Sequence, residues 1–246
     1  MKISFVIPAY NEEACIGACL ASVMRALAAS DCAAEVIVVN NASTDLTRER
    51  ASAVAGVKVV DEPVKGLVRA RHAGLAAAGG DLIASIDADT LLPEGWLAAV
   101  LDAFDRDPGL AALSGPLIYY DLPLVWRGLT RAFYVVALPI HLFNQHVLHV
   151  GAMVQGGNLV ARRDALEAAG GYDTSIAFYG EDTDIARRLA KVGRVKWTFR
   201  LPIYSSGRRL RAEGVVRTGF RYALNFFWVT VFGRPWTTTY TDVRSK

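Results

Sequence analysis

The chain has 246 residues, of which 52% are hydrophobic and 21% are charged, with a formal net charge of +3 at pH 7. This profile allows a sizeable buried core as one large domain or two fused lobes, and it excludes an intrinsically disordered protein. The three cysteines, Cys15, Cys19 and Cys32, have no metal-ligand spacing. We therefore expect small core thiols in a reducing compartment rather than a disulfide framework.

The first apolar segment is short and is interrupted by Pro8. A signal peptide needs a longer uninterrupted apolar region, so we expect this segment to be the first strand of a cytoplasmic protein.

The first 118 residues alternate short apolar runs with helical patterns, which predicts βαβ units and a mostly parallel sheet flanked by helices. The predicted strands are 3–8, 35–39, 57–60, 82–86 and 111–118. The predicted helices are 11–27, a second that opens at 43–45, then 67–78 and 93–104. Asn11 is the expected cap of the first helix, and Pro93 is expected in the first turn of the fourth.

Two carboxylates, Asp87 and Asp89, follow the apolar strand predicted at 82–86. Alternate residues of a strand point the same way, so both can face the crevice beyond its carboxyl end, where open α/β sheets bind ligands. Divalent cations such as Mg²⁺ and Mn²⁺ commonly join one or two carboxylates to a phosphorylated substrate. The pair predicts a site for a metal and a diphosphate, and solvated turn residues are the alternative.

A stretch of 30 residues, 132–161, carries no formal charge, and 226–232 is a second apolar stretch. Neither contains the ~20 continuous apolar residues that a membrane-spanning helix needs. Each is predicted to be either a buried helix or an element lying on a membrane surface. The first stretch contains His141, His146 and His149, whose spacing is not that of a familiar metal site.

Glycines and carboxylates cluster in 156–158, 170–173 and 180–184, and the last cluster opens a helix predicted at 185–192. Dense glycines indicate that the backbone approaches a ligand closely. Glu181 and Asp182 at a helix N-terminus are either helix-capping residues or a candidate general base.

The charge is unevenly distributed: residues 187–246 contain 14 Lys and Arg but only two acids, whereas the preceding 186 residues have a balance of −9. Such a basic segment usually meets phosphates, an anionic membrane or nucleic acid. No nucleic-acid-binding motif accompanies it, so we expect no nucleic acid partner. The element 205–211, with Arg208, Arg209 and Arg211, could bind phosphates over the active site, join aromatic residues of 226–228 on a membrane, or remain a solvated loop.

Taken in order, the motifs closely resemble those of the family 2 glycosyltransferases, over about residues 3 to 200. The matching segments are Val-Ile-Pro-Ala-Tyr-Asn-Glu-Glu at 6–13, Val-Val-Asn-Asn-Ala-Ser-Thr-Asp at 38–45, the run from Lys65 to Gly74, Asp-Ala-Asp at 87–89, Gly-Gly-Asn at 156–158, and Glu181-Asp182. The resemblance implies a GT-A fold, which is a Rossmann-like α/β sheet, here followed by a basic helical extension. It implies an inverting enzyme that transfers a sugar from a nucleotide-sugar to an acceptor hydroxyl.

The resemblance also implies roles for individual residues. Asp182, with Glu181 beside it, matches the general base, and Asp89 with Asp87 matches the ligands of Mn²⁺ or Mg²⁺. The residues expected to bind the donor are Pro8, Ala9, Tyr10, Glu12, Asn40, Asn41, Lys65, Arg71, Asp87, Gly157, Asn158, Arg208 and Arg209. The implied partners are a UDP- or GDP-sugar, a saccharide or lipid-linked acceptor, and an anionic membrane surface on whose inner face a cytoplasmic protein would lie.

Two departures from the family pattern bear on specificity. Asn40-Asn41 stands where many relatives have two aspartates, which leaves the base open between uridine and guanosine, with UDP slightly ahead. The Gln-x-x-Arg-Trp pattern of processive polysaccharide synthases is absent, which favours a single transfer over polymerisation.

Three parts are predicted: a nucleotide-sugar-binding half at 1–118, an acceptor-binding and catalytic half at 119–212, and a basic, aromatic extension at 213–246. Two other functions stay open. One is a catalytically silent nucleotide-sugar-binding or scaffold protein, and the intact Asp87, Asp89 and Asp182 argue against it. The other is a nucleotidyltransferase of related fold, whose glycine-rich loop after the first strand is missing here.

Overall fold

A computed structural model describes residues 1–143, 153–237 and 242–243. The strands are β1 (Ile3–Ala9), β2 (Ala34–Asn41), β3 (Val57–Glu62), β4 (Leu82–Ile86), β5 (Thr90–Leu91), β6 (Leu110–Ser114), β7 (Leu117–Tyr119), β8 (Asn158–Arg162), β9 (Arg194–Trp197) and β10 (Ile203–Ser205). The helices are α1 (Ile16–Ala28), α2 (Thr47–Ser52), α3 (Leu67–Ala77), α4 (Trp96–Arg106), α5 (Leu124–Phe143), α6 (Arg163–Ala168), α7 (Glu181–Leu189), α8 (Arg208–Glu213) and α9 (Val215–Phe232). His146 and His149, singled out in the sequence, lie outside the described residues, as does the side chain of His141.

The central sheet has seven strands in the order β3-β2-β1-β4-β8-β6-β9. All neighbouring pairs are parallel except those of β8, which runs antiparallel to both β4 and β6. A second sheet of three short strands has the order β5-β10-β7. The mixed, mostly parallel α/β fold expected from the sequence is therefore confirmed.

The two faces of the central sheet are both buried, which explains why its strands are continuous apolar runs. In β1, Phe5 and Ile7 pack with residues of α1 and α4, whereas Val6 packs on the opposite face with residues of α3 and α7. Gly74 lets α3 approach closely, because a Cβ there would lie 2.2 Å from Cγ1 of Val6. The strand ends are thus held in a rigid layer between helices.

The first helix begins at Ile16, so the prediction that Asn11 caps a helix over 11–27 was wrong. Asn11 adopts a positive φ of 50°, and its Oδ1 accepts a hydrogen bond from the Thr44 backbone N–H at 2.8 Å. The neighbouring Glu12 backbone N–H donates to Oγ1 of Thr47 at 2.7 Å. The polar residues that resemble a helix start instead tie the loop after β1 to the loop after β2.

Other strands and helices also begin or end at residues different from those predicted. The strand predicted over 111–118 is two strands, β6 and β7, and between them Gly115 lies so close to Leu201 that a Cβ would be 2.0 Å from its carbonyl oxygen. The fourth helix begins at Trp96 after Gly95, which has a φ of 76°, so Pro93 lies before the helix. The helix predicted from residue 185 begins at Glu181.

The first apolar stretch begins in α5 and ends in β8, and the second lies in α9. None of the described helices combines the length and the apolar character that crossing a bilayer requires. The alternative of a buried helix is wrong for the described part of α5, where Val135 and Val136 are exposed and Tyr134 is buried.

Candidate functional site

The candidate site lies at the edge of the central sheet where neighbouring parallel strands end. Ala9 at the end of β1 pairs with Asn40 in β2, which in turn pairs with Asp61 in β3. Asp87 follows directly on β4, which also pairs with β1. The topology therefore brings together the loop residues that the sequence assigned to the donor and the metal.

A pocket opens at this edge beside β1. It is lined by Pro8, Ala9, Tyr10, Asn41, Lys65, Gly66, Leu67, Ala70 and Phe178. The Lys65 ammonium lies 3.8 Å from the centre of the Tyr10 ring and 2.7 Å from Oδ2 of Asp242. Five of the residues predicted to bind the donor thus line one concave surface.

Asn40 and Asn41 have different surroundings. The Asn41 side chain donates to the carbonyl oxygens of Glu62 and Val64 and accepts from the Gly66 backbone N–H at 2.7 Å. It holds the turn that forms the pocket wall. Asn40 donates to Oδ1 of Asp61 at 2.8 Å, and its own Oδ1 is buried without a hydrogen-bond partner among the described residues. A buried carbonyl oxygen of this kind is a ready acceptor for a ligand N–H.

Arg71 of α3 is the centre of a buried ionic cluster. Its guanidinium donates to Oε1 of Glu181 and, at 3.1 Å, to Oδ1 of Asp87. The arginine thus connects the end of β4 to the start of α7. Burial raises the pKa of Glu181 to about 7, assisted by the charge of Asp182 and opposed by that of Arg71.

Gly156 and Gly157 form a wall against this cluster. A Cβ on Gly156 would lie 2.6 Å from Nη1 of Arg71 and from Oε1 of Glu181, and a Cβ on Gly157 would lie 2.3 Å from Oδ2 of Asp87. The glycine pair predicted to approach a ligand therefore packs against the charged side chains that border the site.

Asp182 lies in the first turn of α7 and is half-buried. Its Oδ1 accepts a hydrogen bond from the Thr183 backbone N–H at 2.8 Å. Burial raises the pKa of Asp182, although this backbone hydrogen bond and the charge of Arg71 act in the other direction. A carboxyl whose pKa is raised towards neutrality is suited to accept a proton.

Arg208 forms a second ionic cluster, with two carboxylates. Its guanidinium binds both carboxylate oxygens of Glu12 and lies 3.1 Å from Oδ2 of Asp89. The sequence suggested that this arginine meets phosphates; in the structure it neutralises Asp89 of the predicted metal site and Glu12, a predicted donor-binding residue.

The chemistry of the donor set fits a hard divalent cation. Asp87 and Asp89 supply carboxylate oxygens at one strand end, and the position beside Asp89 is already occupied by a positive group. No group of three or more His, Cys, Asp or Glu side chains that could hold a metal occurs in the described ranges. A cation here would complete its coordination with diphosphate oxygens and water.

The side chains of two predicted donor-binding residues are held by other parts of the protein. Asn158 is completely buried, where it accepts from Nε1 of Trp96 at 3.2 Å and donates to the Leu201 carbonyl at 2.8 Å. It therefore faces the core and not the site. Arg209 lies 4.5 Å over the ring of Phe178, which lines the pocket, and it pairs with Glu213 at 2.9 Å.

Some site residues were missed in the sequence. Asp61 lies at the end of β3 beside Asn40, and its place at a strand end was the signal that could have found it. Phe178 had no such signal, because the loop that carries it joins the pocket only through tertiary contacts.

The chain is similar to known proteins in sequence and in fold. The sequence profile described as "Glycosyl transferase family 2" matches residues 4–170. Glucosyl-3-phosphoglycerate synthase of Mycolicibacterium smegmatis is 30% identical over 202 residues, which are 74% of this chain and 64% of that protein. Glucosyl-dolichyl phosphate glucuronosyltransferase of Haloferax volcanii is 25% identical over 174 residues, which are 70% of this chain and 53% of that protein. The chain thus spans between about half and two thirds of the length of these two relatives.

Solved structures show the same fold. The glucosyl-3-phosphoglycerate synthase of Mycobacterium tuberculosis in complex with phosphoglyceric acid has a TM-score of 0.65 at 25% identity, covering 95% of this chain and 81% of that one. The mannosyltransferase PcManGT of Pyrobaculum calidifontis, in complex with GDP-Man and Mn²⁺, has a TM-score of 0.63 at 24% identity, covering 87% and 62%. On the match over 167 of 246 residues and the shared fold, the chain belongs to glycosyl transferase family 2.

Proposed function

We propose that this protein is an inverting glycosyltransferase that moves one sugar from a nucleoside-diphosphate sugar to an acceptor hydroxyl, assisted by Mn²⁺ or Mg²⁺. The observation that carries the proposal is the Arg71 cluster. It joins Asp87, at the end of β4, to Glu181, whose neighbour Asp182 has a raised pKa. A candidate metal ligand and a candidate base are thereby held at the same edge of the sheet.

The unpartnered Oδ1 of Asn40 supports a uridine or guanosine donor. Uracil and guanine each carry a ring N–H that can donate to this oxygen, whereas neutral adenine and cytosine lack one. Of the two candidate donor nucleotides, we favour UDP slightly over GDP. A glucosyl-3-phosphoglycerate synthase structure contains Mn²⁺ and UDP, and the mannosyltransferase structure contains GDP-Man, so related folds accept both bases.

Asp87 and Asp89 would hold the metal against the donor. The cation supplies positive charge to the diphosphate as negative charge accumulates on the leaving group. Arg208 lies 3.1 Å from Asp89, so its guanidinium can pass from the carboxylate to the diphosphate. The glycine wall at Gly157 keeps Asp87 in place.

Asp182 accepts the proton of the acceptor hydroxyl as the hydroxyl oxygen attacks the anomeric carbon. A bond forms between that oxygen and the anomeric carbon, and the bond from the same carbon to the diphosphate oxygen breaks. The nucleoside diphosphate leaves with the electron pair. Because attack and departure occur on opposite faces of the sugar, a single displacement inverts the anomeric centre.

The proposed acceptor is a saccharide or a lipid-linked molecule, and we place the protein on the inner face of an anionic membrane. The name of one relative contains a lipid-linked molecule, glucosyl-dolichyl phosphate, and that of another contains a phosphoglycerate, which is a small phosphorylated acid. The basic C-terminal part of the chain supports an anionic surface.

The substitution Asp182→Asn tests the function. Asparagine keeps the size of the side chain but cannot take the acceptor's proton, so we expect transfer to fall by about 10² to 10⁴-fold with donor binding unchanged. Transfer is measured by mass spectrometry of products, and donor binding by the rise in melting temperature with UDP- or GDP-sugars and Mn²⁺. The matched control is Asp173→Asn, an exposed acid before α7.

Other outcomes would contradict the proposal. Donor binding without any acceptor-sugar product from the wild type indicates a silent binding protein. A product that contains the nucleotide, formed with release of pyrophosphate, indicates a nucleotidyltransferase. Sugar transfer at the wild-type rate by the Asp182→Asn variant would mean that the general base is Glu181 or Asp184 instead.

A further inference from the structure

Helices α5 and α9 leave unusually apolar surfaces uncovered. On α5, Val125, Leu129 and Val136 recur at helical spacing on the side opposite the buried Tyr134, and Val125 is 72% exposed. Large apolar patches on the surface of a folded chain mark an interaction site.

On α9 the same arrangement recurs. Val216, Phe220 and Phe227 form an exposed stripe opposite the buried Asn225 and Val229, and Phe220 is 71% exposed. A solvent-facing helix normally places polar residues on this side. Both helices therefore need a partner that covers apolar side chains.

The charges on α5 and α9 indicate that the partner of these helices is negatively charged. Neither α5 nor α9 contains an Asp or Glu, whereas each contains two arginines. Arg127, Arg131 and Arg217 have no acidic partner in the part of the chain that the structure describes. A second copy of the chain would bring these like charges together, whereas an anionic bilayer offers both an apolar interior and negative headgroups.

The arginines that the sequence favoured for a membrane surface are engaged elsewhere. Arg208 binds Glu12, Arg209 binds Glu213, and Arg211 binds Asp121. An ion-paired guanidinium attracts lipid headgroups less strongly, so we do not count these residues in the proposed membrane-facing set.

Both helices lie near Asp182, because burial and the charge of Asp182 raise the pKa of Tyr134 in α5 and of Tyr222 in α9. Tyr134 of α5 stacks on Trp197 at 5.5 Å, and Tyr222 of α9 lies 5.6 Å from the Tyr179 ring, just before the start of α7. A Cβ on Gly180, the N-cap of α7, would lie 2.6 Å from Cγ2 of Val229, so α9 packs directly against the start of α7. A surface formed by the two helices would bring a membrane to the acceptor side of the site.

We infer that the exposed faces of α5 and α9, together with the arginines Arg131 and Arg217, dock on an anionic lipid bilayer. The docking stands on these surfaces alone. Its consequence, that the acceptor is a membrane-bound molecule presented to Asp182, rests on the proposed function.

Vesicle flotation tests the docking. The wild type is expected to float with vesicles of equal parts phosphatidylglycerol and phosphatidylcholine at low salt, and much less with phosphatidylcholine alone or at high salt. The paired changes Val125→Glu with Leu129→Glu, and separately Phe220→Glu with Phe227→Glu, should each weaken binding by about tenfold or more. The matched control, Leu46→Glu with Val192→Glu, makes the same change at apolar residues exposed elsewhere.

A second pair of variants tests the charge without touching apolar residues. Arg131→Gln with Arg217→Gln should weaken flotation more than Arg211→Gln with Arg194→Gln, because the latter arginines are paired with Asp121 and Asp107. Both pairs lose the same net charge, so a difference reports on position. Melting temperatures confirm that each variant is folded.

Several results would overturn the inference: no flotation of the wild type at low salt, equal binding to both vesicle types, or helix variants that float like the control. A wild-type dimer that the helix variants dissociate would assign the surface to a second copy instead. Donor binding, measured by thermal shift with UDP or GDP and Mn²⁺, should be unchanged in all variants. If donor binding fails in the wild type, the proposed function fails while the flotation result stands.

Discussion

Two arginines organise two ionic clusters at the site, and their surroundings differ. The Arg71 side chain is 2% exposed and lies between Asp87 and Glu181, whereas the Arg208 side chain is 25% exposed and lies between Glu12 and Asp89. Charges attract each other strongly where water is excluded, and more weakly where water enters. We therefore expect Arg71 to be a fixed support and Arg208 an exchangeable group.

The chain positions of the two arginines fit this distinction. Arg71 lies on α3, which packs against β1 and β2, while Arg208 begins the short helix α8 near the C-terminal part. An exchangeable group at the metal position gives Asp89 a partner in the absence of substrate. The fixed group keeps the start of α7 aligned with β4 at all times.

The largest expected effect is on the fixed cluster. Arg71→Met removes the partner of the buried Glu181 and should lower the free energy of unfolding by about 3 to 5 kcal/mol, measured by urea denaturation at neutral pH. Arg106→Met is the matched control, because its ion pair with Asp102 is exposed and should contribute less than about 1 kcal/mol. Equal losses in the two variants would contradict a buried, supporting role.

The same variant should show a distinct pH dependence. The pKa of Glu181 is raised from 4.5 to about 7 in the folded protein, so the folded state binds its proton more tightly than the unfolded state. Stability from this group is therefore greatest below pH 4.5 and declines as pH rises towards 7. Loss of the Arg71 charge raises the pKa of Glu181 further, so the difference in stability between wild type and variant should widen as pH rises through about 7. A difference that stays constant from acidic pH to well above pH 7 would contradict this interpretation.

An intermediate effect is expected at the glycine wall of the fixed cluster. In Gly157→Ala the new methyl group would lie 2.3 Å from Oδ2 of Asp87, so the carboxylate must shift, at a cost of about 1 to 3 kcal/mol in stability. Calorimetry should also show weaker binding of UDP or GDP with Mn²⁺. Gly17→Ala in α1 is the control, because no atom lies within 4 Å of the position that its new Cβ would take. Unchanged nucleotide affinity in Gly157→Ala would mean that Asp87 does not hold the metal.

The sequence predicted the parts of the molecule that local patterns determine. The apolar runs of β1 and β4 and the helix α3 were located to within about two residues, because strands buried on both faces consist of consecutive apolar residues. The position of Asp87 at a strand end follows from the same pattern. The family and its fold were also predicted correctly from the motifs.

The remaining features depend on contacts between distant parts of the chain. Asn11 has the residue type of a helix cap, but the Thr44 backbone uses its side chain. Asn158 has the residue type of a ligand-binding group, but Trp96 and Leu201 satisfy its amide in the core. Arg208 lies 196 positions from Glu12 in the sequence, so no local pattern could have paired them.

The smallest expected effect is on the exchangeable cluster. Arg208→Met should lower the free energy of unfolding by about 1 to 2 kcal/mol, less than Arg71→Met, because water reaches this guanidinium and screens its ion pairs. Added Mn²⁺ should restore stability to this variant more than it stabilises the wild type. The cation would replace the missing positive charge at Asp89, whereas in the wild type it must first displace Arg208.

Thermal melting with increasing Mn²⁺, without nucleotide, measures this difference directly. Asp89→Ala is the control, since it removes the carboxylate that Arg208 and the cation would share, and it should show little stabilisation by Mn²⁺. Equal stabilisation of wild type and Arg208→Met would mean that Arg208 and the metal do not compete for Asp89. Arg208 would then be a fixed support like Arg71, and the distinction between the two clusters would be lost.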